Sequence, residues 1–159
     1  MTELEDVAAR IAGRLIERGE TVAVAESSAG GLISAALLAV PGASKYFVGG
    51  AVVYTRAARK QLLGLTSEQV IGLRSTTEPY AMLLAGTIRA KLRATWGLAE
   101  SGAAGPTGNF YGDAAGTTCI AVSGPAERTF TLRTGSSDRS ANMLAFSLAS
   151  LGVLESLLD

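Results

Sequence analysis

Apolar positions recur along the chain at two different spacings. Over residues 4–15 they lie three or four positions apart, which predicts an amphipathic helix. A capping box of Thr2 with Glu5 indicates where that helix begins, and Gly19 indicates where it ends. The next apolar run, TVAVA at 21–25, is short, rich in β-branched residues and apolar on both faces. It therefore predicts a buried central strand.

Short apolar runs and helical patterns continue to alternate over the rest of the chain. They predict a helix from near Ser28 to Pro41, a strand at 47–55, a short helix at 56–64, a short helix from Thr66 to near Gly72, a longer helix from Thr77 through Leu92, a strand at 96–102, hairpin strands at 117–123 and 127–133, and a final helix capped by Ser137 or Asp138. This order favours a mainly parallel sheet covered on both faces, which the hairpin makes mixed. The chain shows no internal repeat or linker, so we expect one domain over residues 1–159.

The charge balance argues against nucleic acid and membranes as partners. Lys and Arg number 14, and Asp and Glu also number 14, so the surface as a whole has no net field that attracts a polyanion. Although 48% of the residues are apolar, no uninterrupted apolar run approaches the roughly 20 residues that span a bilayer. The acidic start MTELEDVAAR lacks the basic residues of a secretory signal. We therefore expect a cytoplasmic protein.

The chain contains no histidine and a single cysteine. The absence of imidazole excludes a Ser-His-Asp triad, a Cys-His pair and nearly every type of zinc site. Cys119 lies in the apolar run TTCIAVS, and we expect it to be an ordinary core residue. Any hydrolytic chemistry must therefore use a base other than histidine.

Two loops lie where open α/β sheets bind ligands, beyond the carboxyl ends of strands. The first, AESSAGG at 25–31, leads into a helix whose free N–H groups favour an anion. Either Ser27 or Ser28 simply caps that helix, or Ser27 is a nucleophile beside an oxyanion hole. The second loop, GAAGPTGN at 102–109, is either a ligand loop or a flexible connection.

Four motifs resemble the CinA C-terminal domain family in their order and spacing. They are AESSAGG, GASKYFVGGAVVYT, the following QLLGL, and SGAAGPTG ending in GTTCIAV. The members of this family include the nicotinamide-nucleotide amidohydrolases. The resemblance implies a three-layer α/β/α sandwich with a mixed, mainly parallel sheet of about five strands. It also implies hydrolysis of the carboxamide of a pyridine nucleotide, nicotinamide mononucleotide, to nicotinate mononucleotide and ammonia, with no metal and no organic cofactor.

The resemblance also implies the catalytic groups. The family motif AESCTGG carries a serine nucleophile that falls on Ser27, and the tyrosine of the motif VAYSN falls on Tyr54. A lysine five residues after that tyrosine is the third catalytic group, and here that position is Arg59. Arginine cannot serve as the base because its pKa stays above about 12, although its charge can hold Tyr54 as a phenolate. Lys60 would substitute only if the short helix were rotated by about 100° or shifted in register.

We expect substrate contacts from both loops and from the start of the last helix. Two departures from the family motif, Ser28 for cysteine and Ala29 for threonine, indicate a rearranged first loop. The charge of Arg139 is available to a substrate phosphate, unless that residue only flanks the helix. The residues expected to bind substrate are Glu26, Ser28, Ala29, Gly30, Gly31, Ala104, Gly105, Thr107, Gly108 and Arg139.

Three functional hypotheses follow. The first is a serine amidohydrolase that acts on nicotinamide mononucleotide. The loss of lysine at position 59 favours a second, a catalytically impaired nucleotide-binding or competence-associated interaction module. Phe110 and Tyr111 in the second loop favour a third, a hydrolase of a different amide. We also expect a homo-oligomer, since the Ala-rich helix faces suit self-association.

Overall fold

The first helix begins and ends at the capping residues that the sequence predicts. The computed structural model of the chain describes residues 2–159. Helix α1 spans Glu3–Arg18, and at its start the backbone N–H groups of Thr2 and Glu5 donate to each other's side chains at 2.8 and 3.2 Å. The helix ends at Gly19, whose φ of 66° is a left-handed conformation that favours glycine. The predicted capping box is therefore confirmed.

One five-stranded sheet runs through the centre of the fold. Its strands, β1 to β5 in chain order, are Val22–Glu26, Phe47–Val52, Trp96–Ala103, Thr117–Ser123 and Arg128–Arg133. In space they lie in the order β2-β1-β3-β4-β5. Strand β1 pairs in parallel with β2 and β3, whereas β4 is antiparallel to β3 and β5. Four strands thus run in one direction, which confirms a mixed, mainly parallel sheet.

Helices cover both faces of this sheet. The remaining helices, α2 to α5, are Leu32–Leu38, Arg56–Leu63, Glu78–Leu92 and Arg139–Ser156. Helices α1, α2 and α5 pack together on one face, and α4 packs on the other. These layers form the expected α/β/α sandwich. Within residues 2–159, none of the helices combines the length and apolarity that crossing a bilayer requires.

Successive residues of β1 face opposite layers of the sandwich, as the alternation of side chains along a strand requires. Val22 and Val24 belong to the core that contains α1, α2 and α5, whereas Ala23 and Ala25 belong to the core that contains α4. All four side chains are fully buried. The prediction of a central strand that is apolar on both faces is therefore confirmed.

The second helix begins later than the sequence pattern predicts. We expected it from near Ser28, but α2 starts at Leu32. Gly30 and Gly31 have φ angles of 68° and 100°, which lie outside the conformation of a right-handed helix. The intervening residues therefore form a turn that separates β1 from α2.

The short helix predicted from Thr66 to near Gly72 is wrong, because residues 67–72 form consecutive turns. A cap does form at Thr66: its hydroxyl accepts a hydrogen bond from the Gln69 N–H at 3.4 Å, and the Thr66 N–H donates to the Gln69 side chain at 2.9 Å. Val70 and Leu73 are partly buried against the core that contains α4, whereas Ile71 is 82% exposed. A segment of about six residues is too short to form a stable helix by itself, so the capped turn is followed by further turns.

The variant Gly97→Ala should destabilise the fold, because the added methyl group would overlap α4. A Cβ atom at position 97 would lie 2.1 Å from the carbonyl oxygen of Ala85 and 2.7 Å from Cβ of Arg89. We expect the free energy of unfolding, measured by urea denaturation, to fall by about 2–3 kcal/mol. The control is Gly13→Ala on the exposed side of α1, where a Cβ meets nothing within 4 Å and alanine should add about 1 kcal/mol. Equal effects of the two variants would contradict this packing.

Candidate active site

The parallel strands β2, β1 and β3 end at the same edge of the sheet, where a cavity of about 480 Å³ opens. Ser27 directly follows β1, Tyr54 follows β2, and Ser101 lies near the end of β3. All three residues line the cavity. The chain leaves β1 toward β2 on one side and returns to β3 on the other, and such a switch point is where open α/β sheets bind ligands.

The carboxylate of Glu26 holds the start of α2. It is fully buried and accepts hydrogen bonds from the N–H groups of Gly31, Ile33 and Ser34 at 2.8, 3.1 and 2.9 Å. The Ser34 hydroxyl adds a fourth bond at 2.8 Å. The sequence predicted an external anion at this helix end, but the protein's own carboxylate fills that position. Glu26 and Gly31 therefore shape the turn and do not line the cavity.

Glu100, at the end of β3, holds the residues next to Ser27. Its buried carboxylate accepts hydrogen bonds from the Ser28 hydroxyl at 2.5 Å and from the Ala29 N–H at 2.9 Å. Burial raises the pKa of Glu100 to about 7, and the neighbouring charge of Glu26 acts in the same direction. Ser28 and Ala29 are themselves buried, so this turn presents Ser27, which is half-buried, to the cavity.

Glu100 and Ser101 are site residues that the sequence interpretation missed. A signal for them exists: the tripeptide Ala-Glu-Ser occurs at 25–27 and again at 99–101, each time at the end of a predicted strand. The two copies lie side by side in the parallel pair of β1 and β3, with Glu26 opposite Glu100. A polar side chain that recurs at the end of two buried strands indicates where these strands meet the site.

Tyr54 contacts a cation that lies far away in the sequence. Its side chain is 58% exposed, and its hydroxyl accepts a hydrogen bond from Nη2 of Arg139 at 3.1 Å. Nη1 of the same guanidinium donates to the carbonyl oxygen of Gly105 at 2.5 Å. Arg139 is the first residue of α5, so one arginine joins the last helix, the second loop and the tyrosine.

Arg59 is buried and contacts a different tyrosine. Only 9% of the residue is exposed, its Nη1 donates to the Tyr80 hydroxyl at 3.3 Å, and its guanidinium lies 5.9 Å from the centre of that ring. Nε of Arg59 is buried and has no acceptor within residues 2–159. Arg59 lines the cavity together with Tyr54, whereas the next residue, Lys60, is exposed and lies outside the lining. The short helix therefore keeps the orientation that points position 59 inward.

The four residues of the glycine-rich loop that were expected to bind substrate do not line the cavity. Ala104 and Gly105 are buried, and the Ala104 carbonyl accepts a hydrogen bond from the Asn142 side chain at 2.9 Å. Thr107 and Gly108 are exposed and do not line the cavity.

Gly102, at the start of this loop, lines the cavity, and so do Asn109 and Tyr111 farther along the chain. Asn109 donates to the Asp113 carboxylate at 2.8 Å, and that carboxylate also binds Arg74 at 3.1 Å. The Arg74 guanidinium lies 5.6 Å from the centre of the Tyr111 ring. These contacts tie the loop to the turns that follow α3.

The cavity lining is polar and carries positive charge. It contains the guanidinium groups of Arg56 and Arg59 and no aspartate or glutamate. Across residues 2–159, no group of three or more His, Cys, Asp or Glu side chains is arranged to hold a metal ion. A ligand with an anionic group fits this lining better than a cationic one.

The variant Glu100→Gln should change how stability depends on pH. Because the folded-state pKa of about 7 exceeds the usual value of 4.5, the folded protein keeps a proton that the unfolded chain loses between these values. The free energy of unfolding therefore falls as pH rises through this window. Between pH 4.5 and about 7, the free energy of unfolding of the wild type should fall by up to about 3 kcal/mol relative to that of Glu100→Gln. Urea denaturation at a series of pH values measures this difference. Parallel stability profiles of the two proteins would contradict the buried, protonated carboxyl.

Solved structures of similar proteins share this fold over nearly the whole chain. The structure of the competence/damage inducible protein CihA from Agrobacterium tumefaciens superposes with a TM-score of 0.92 at 28% identity, covering 100% of this chain and 98% of that one. The competence-damaged protein (CinA) superfamily protein from Enterobacter cloacae superposes with a TM-score of 0.90 at 30% identity, covering 98% and 92%.

Sequence comparisons give the same family. The CinA-like protein of Synechococcus sp. strain CC9902 is 40% identical over 121 residues, which cover 76% of this chain and 29% of that protein. The CinA-like protein of Gloeobacter violaceus is 38% identical over 132 residues, which cover 82% and 31%. The chain thus matches less than a third of the length of these curated relatives. Residues 4–158 match the CinA C-terminal domain, and the chain belongs to that family.

Proposed function

We propose that this chain hydrolyses nicotinamide mononucleotide to nicotinate mononucleotide and ammonia, with Ser27 as the nucleophile. The observation that carries the proposal is that Ser27 and Tyr54 line one polar cavity at the ends of parallel strands. Membership of the CinA C-terminal domain family supports it, because the family includes enzymes of this activity. The lack of histidine in the chain supports tyrosine as the proton carrier.

In the first step, the Ser27 oxygen adds to the carboxamide carbon, and its proton passes to the phenolate oxygen of Tyr54. The tetrahedral intermediate then breaks its C–N bond, while the amide nitrogen takes the proton from Tyr54 and leaves as ammonia. An ester between the acyl group and Ser27 is left. Water then adds to the ester carbon and passes a proton to the same tyrosine oxygen. The bond to the serine oxygen breaks as that oxygen takes this proton, and nicotinate mononucleotide is released.

Arg139 is the electrostatic partner of Tyr54 in this proposal. The resemblance to the family suggested Arg59 or Lys60 for that role, but the guanidinium in contact with the phenolic oxygen is that of Arg139, at 3.1 Å. A guanidinium stays protonated at neutral pH, so it stabilises negative charge on the oxygen without itself exchanging a proton. Arg59 adds positive charge to the same cavity from its buried position.

The turn after β1 holds Ser27 in a fixed position. Ser28 and Ala29 are bound to Glu100, and Gly31 is bound to Glu26, so these residues fix the position of Ser27. A nucleophile held on a fixed turn loses less conformational freedom on reaching the transition state. We propose that Glu26, Ser28, Ala29, Gly30 and Gly31 act on the substrate in this indirect way, and that Ala104, Gly105, Thr107, Gly108 and Arg139 act from the second loop and α5.

The proposal also covers the location of the enzyme and its need for a cofactor. We propose that the enzyme is cytoplasmic. We also propose that it needs no cofactor, because every step above uses only side chains and water. We also propose that it acts as a homo-oligomer. Support comes from large apolar side chains on the surface, such as Leu38 and Leu144, which are 55% and 51% exposed.

The variant Ser27→Ala should lower the rate of ammonia release from nicotinamide mononucleotide by about a thousandfold or more, because it removes the nucleophile. The assay follows ammonia and nicotinate mononucleotide together. The control is Ser140→Ala, which removes an exposed hydroxyl outside the cavity and should keep wild-type turnover. A Ser27→Ala protein that is folded and still active would exclude Ser27 as the nucleophile.

A second candidate function is a catalytically impaired nucleotide-binding or competence-associated module. The observation that favours it is the buried Arg59 at the position where the family resemblance implies a lysine, since arginine cannot accept the serine proton. Under this candidate, the wild type releases no ammonia.

The variant Arg59→Lys separates the two candidates. If the wild type is an enzyme, lysine keeps the charge but loses the planar guanidinium, and kcat/KM should fall about tenfold. If the wild type is impaired, Arg59→Lys should instead gain hydrolysis. We expect the first result, and a gain of ammonia release from an inactive wild type would contradict the proposed activity.

A further inference from the structure

Two arginines in the cavity lining have no carboxylate partner. Arg56 and Arg59 both line the cavity, and the lining contains no acidic residue. The ion pairs found within residues 2–159 involve other arginines. The two residues lie on the first turns of α3, three positions apart, so their side chains leave the same side of the helix.

Arg59 is the unusual member of this pair, because it is buried. More than nine-tenths of the residue is removed from solvent. Within residues 2–159, its guanidinium donates a hydrogen bond only to the Tyr80 hydroxyl, and its Nε has no acceptor. A buried charge without a counterion is unfavourable, and a buried donor without an acceptor adds to that penalty. An anion bound in the cavity would supply both a counterion for the guanidinium and an acceptor for Nε.

The other positions where an anion was expected are occupied by the protein itself. The N–H groups at the start of α2 donate to Glu26, and the Ala29 N–H donates to Glu100. Arg139 donates to Gly105 and to Tyr54. Among the residues that line the cavity, the positive groups without a carboxylate partner within residues 2–159 are Arg56 and Arg59.

Hydroxyl groups line the same cavity as these two arginines. Ser67 and Ser75, from the turns after α3, line it together with Tyr80 from α4. Hydroxyls and guanidinium groups are both donors to phosphate oxygens, and arginine suits this role because its donors form a planar fork. Two cations and several hydroxyls match a doubly charged group with three oxygens better than a carboxylate.

We propose that Arg56, Arg59, Ser67, Ser75 and Tyr80 form an oxyanion subsite that binds the phosphate monoester of the ligand. Arg59 thereby binds an anion at the position where the family resemblance implies a proton-transferring lysine. The subsite deepens the proposed function, and it rests on that function for the identity of the molecule that carries the phosphate. Binding of phosphate itself requires no turnover.

The first test measures thermal unfolding in rising concentrations of inorganic phosphate, with ionic strength held constant by sodium chloride. Phosphate should raise the wild-type Tm along a saturable curve, because it binds the folded state. The variant Arg59→Gln should weaken the apparent affinity about 10- to 100-fold, as expected for the loss of a charged hydrogen-bonding partner. The control Lys91→Gln removes the same charge from an exposed position of α4 and should bind phosphate as the wild type does.

No saturable shift of the wild-type Tm would overturn the subsite, and so would an unchanged affinity in Arg59→Gln. If Arg59→Gln does not fold, Arg56→Gln provides the measurement, because Arg56 is exposed and its replacement should still weaken phosphate binding several-fold. An unchanged affinity in Arg56→Gln would then count against the proposal.

The second test separates the subsite from the hydrolysis. Calorimetric titration of Ser27→Ala, which cannot form the acyl ester, compares nicotinamide mononucleotide with nicotinamide riboside, which lacks the phosphate. Ser27→Ala should prefer the mononucleotide by about tenfold or more, and adding Arg59→Gln should abolish that preference. Equal binding of the two ligands by Ser27→Ala would overturn the subsite. A phosphate-dependent preference in a protein whose wild type releases no ammonia would refute the hydrolysis alone.

Discussion

The pairing of β1 with β3 is the constraint on which the site depends. This parallel, in-register pair brings Glu26 and Glu100 side by side at the ends of two buried strands. Each carboxylate then binds one part of the turn that carries Ser27: Glu26 holds the start of α2, and Glu100 holds Ser28 and Ala29. A buried carboxylate is unfavourable unless donors surround it, so the turn and the strand ends stabilise each other.

This arrangement determines how charge is distributed around the cavity. Because Glu26 fills the helix end where an anionic ligand was expected, positive charge for a ligand must come from side chains. Two arginines supply positive charge at different places. Arg139 joins Tyr54 to the second loop, whereas Arg59 lies buried beside Tyr80 and forms no ion pair with any residue in 2–159. The family resemblance implies a lysine at position 59, where this chain has an arginine. That arginine lines a cavity whose charge favours an anionic ligand.

The sequence was sufficient to predict the elements that local chemistry determines. The capping box of Thr2 and Glu5, the strand that is apolar on both faces and the final hairpin could all be predicted, and so could the position of Ser27 at a strand end. Contacts between segments that are distant in the chain could not be predicted from the sequence. Nothing local places Arg139 against Tyr54, or Glu100 against Ser28, because both contacts depend on how the sheet brings remote residues together. The helix predicted after Thr66 was wrong, because its cap forms but the segment is too short to continue as a helix.

The proposed hydrolysis requires that Ser27 forms a covalent acyl ester before water completes the reaction. Turnover of nicotinamide mononucleotide in the presence of hydroxylamine tests it directly, since hydroxylamine intercepts such an ester. If the ester forms, a hydroxamate should appear at the expense of nicotinate mononucleotide, and none should appear with Ser27→Ala. Release of ammonia with nicotinate mononucleotide as the sole product, at hydroxylamine concentrations that intercept serine esters, would contradict it.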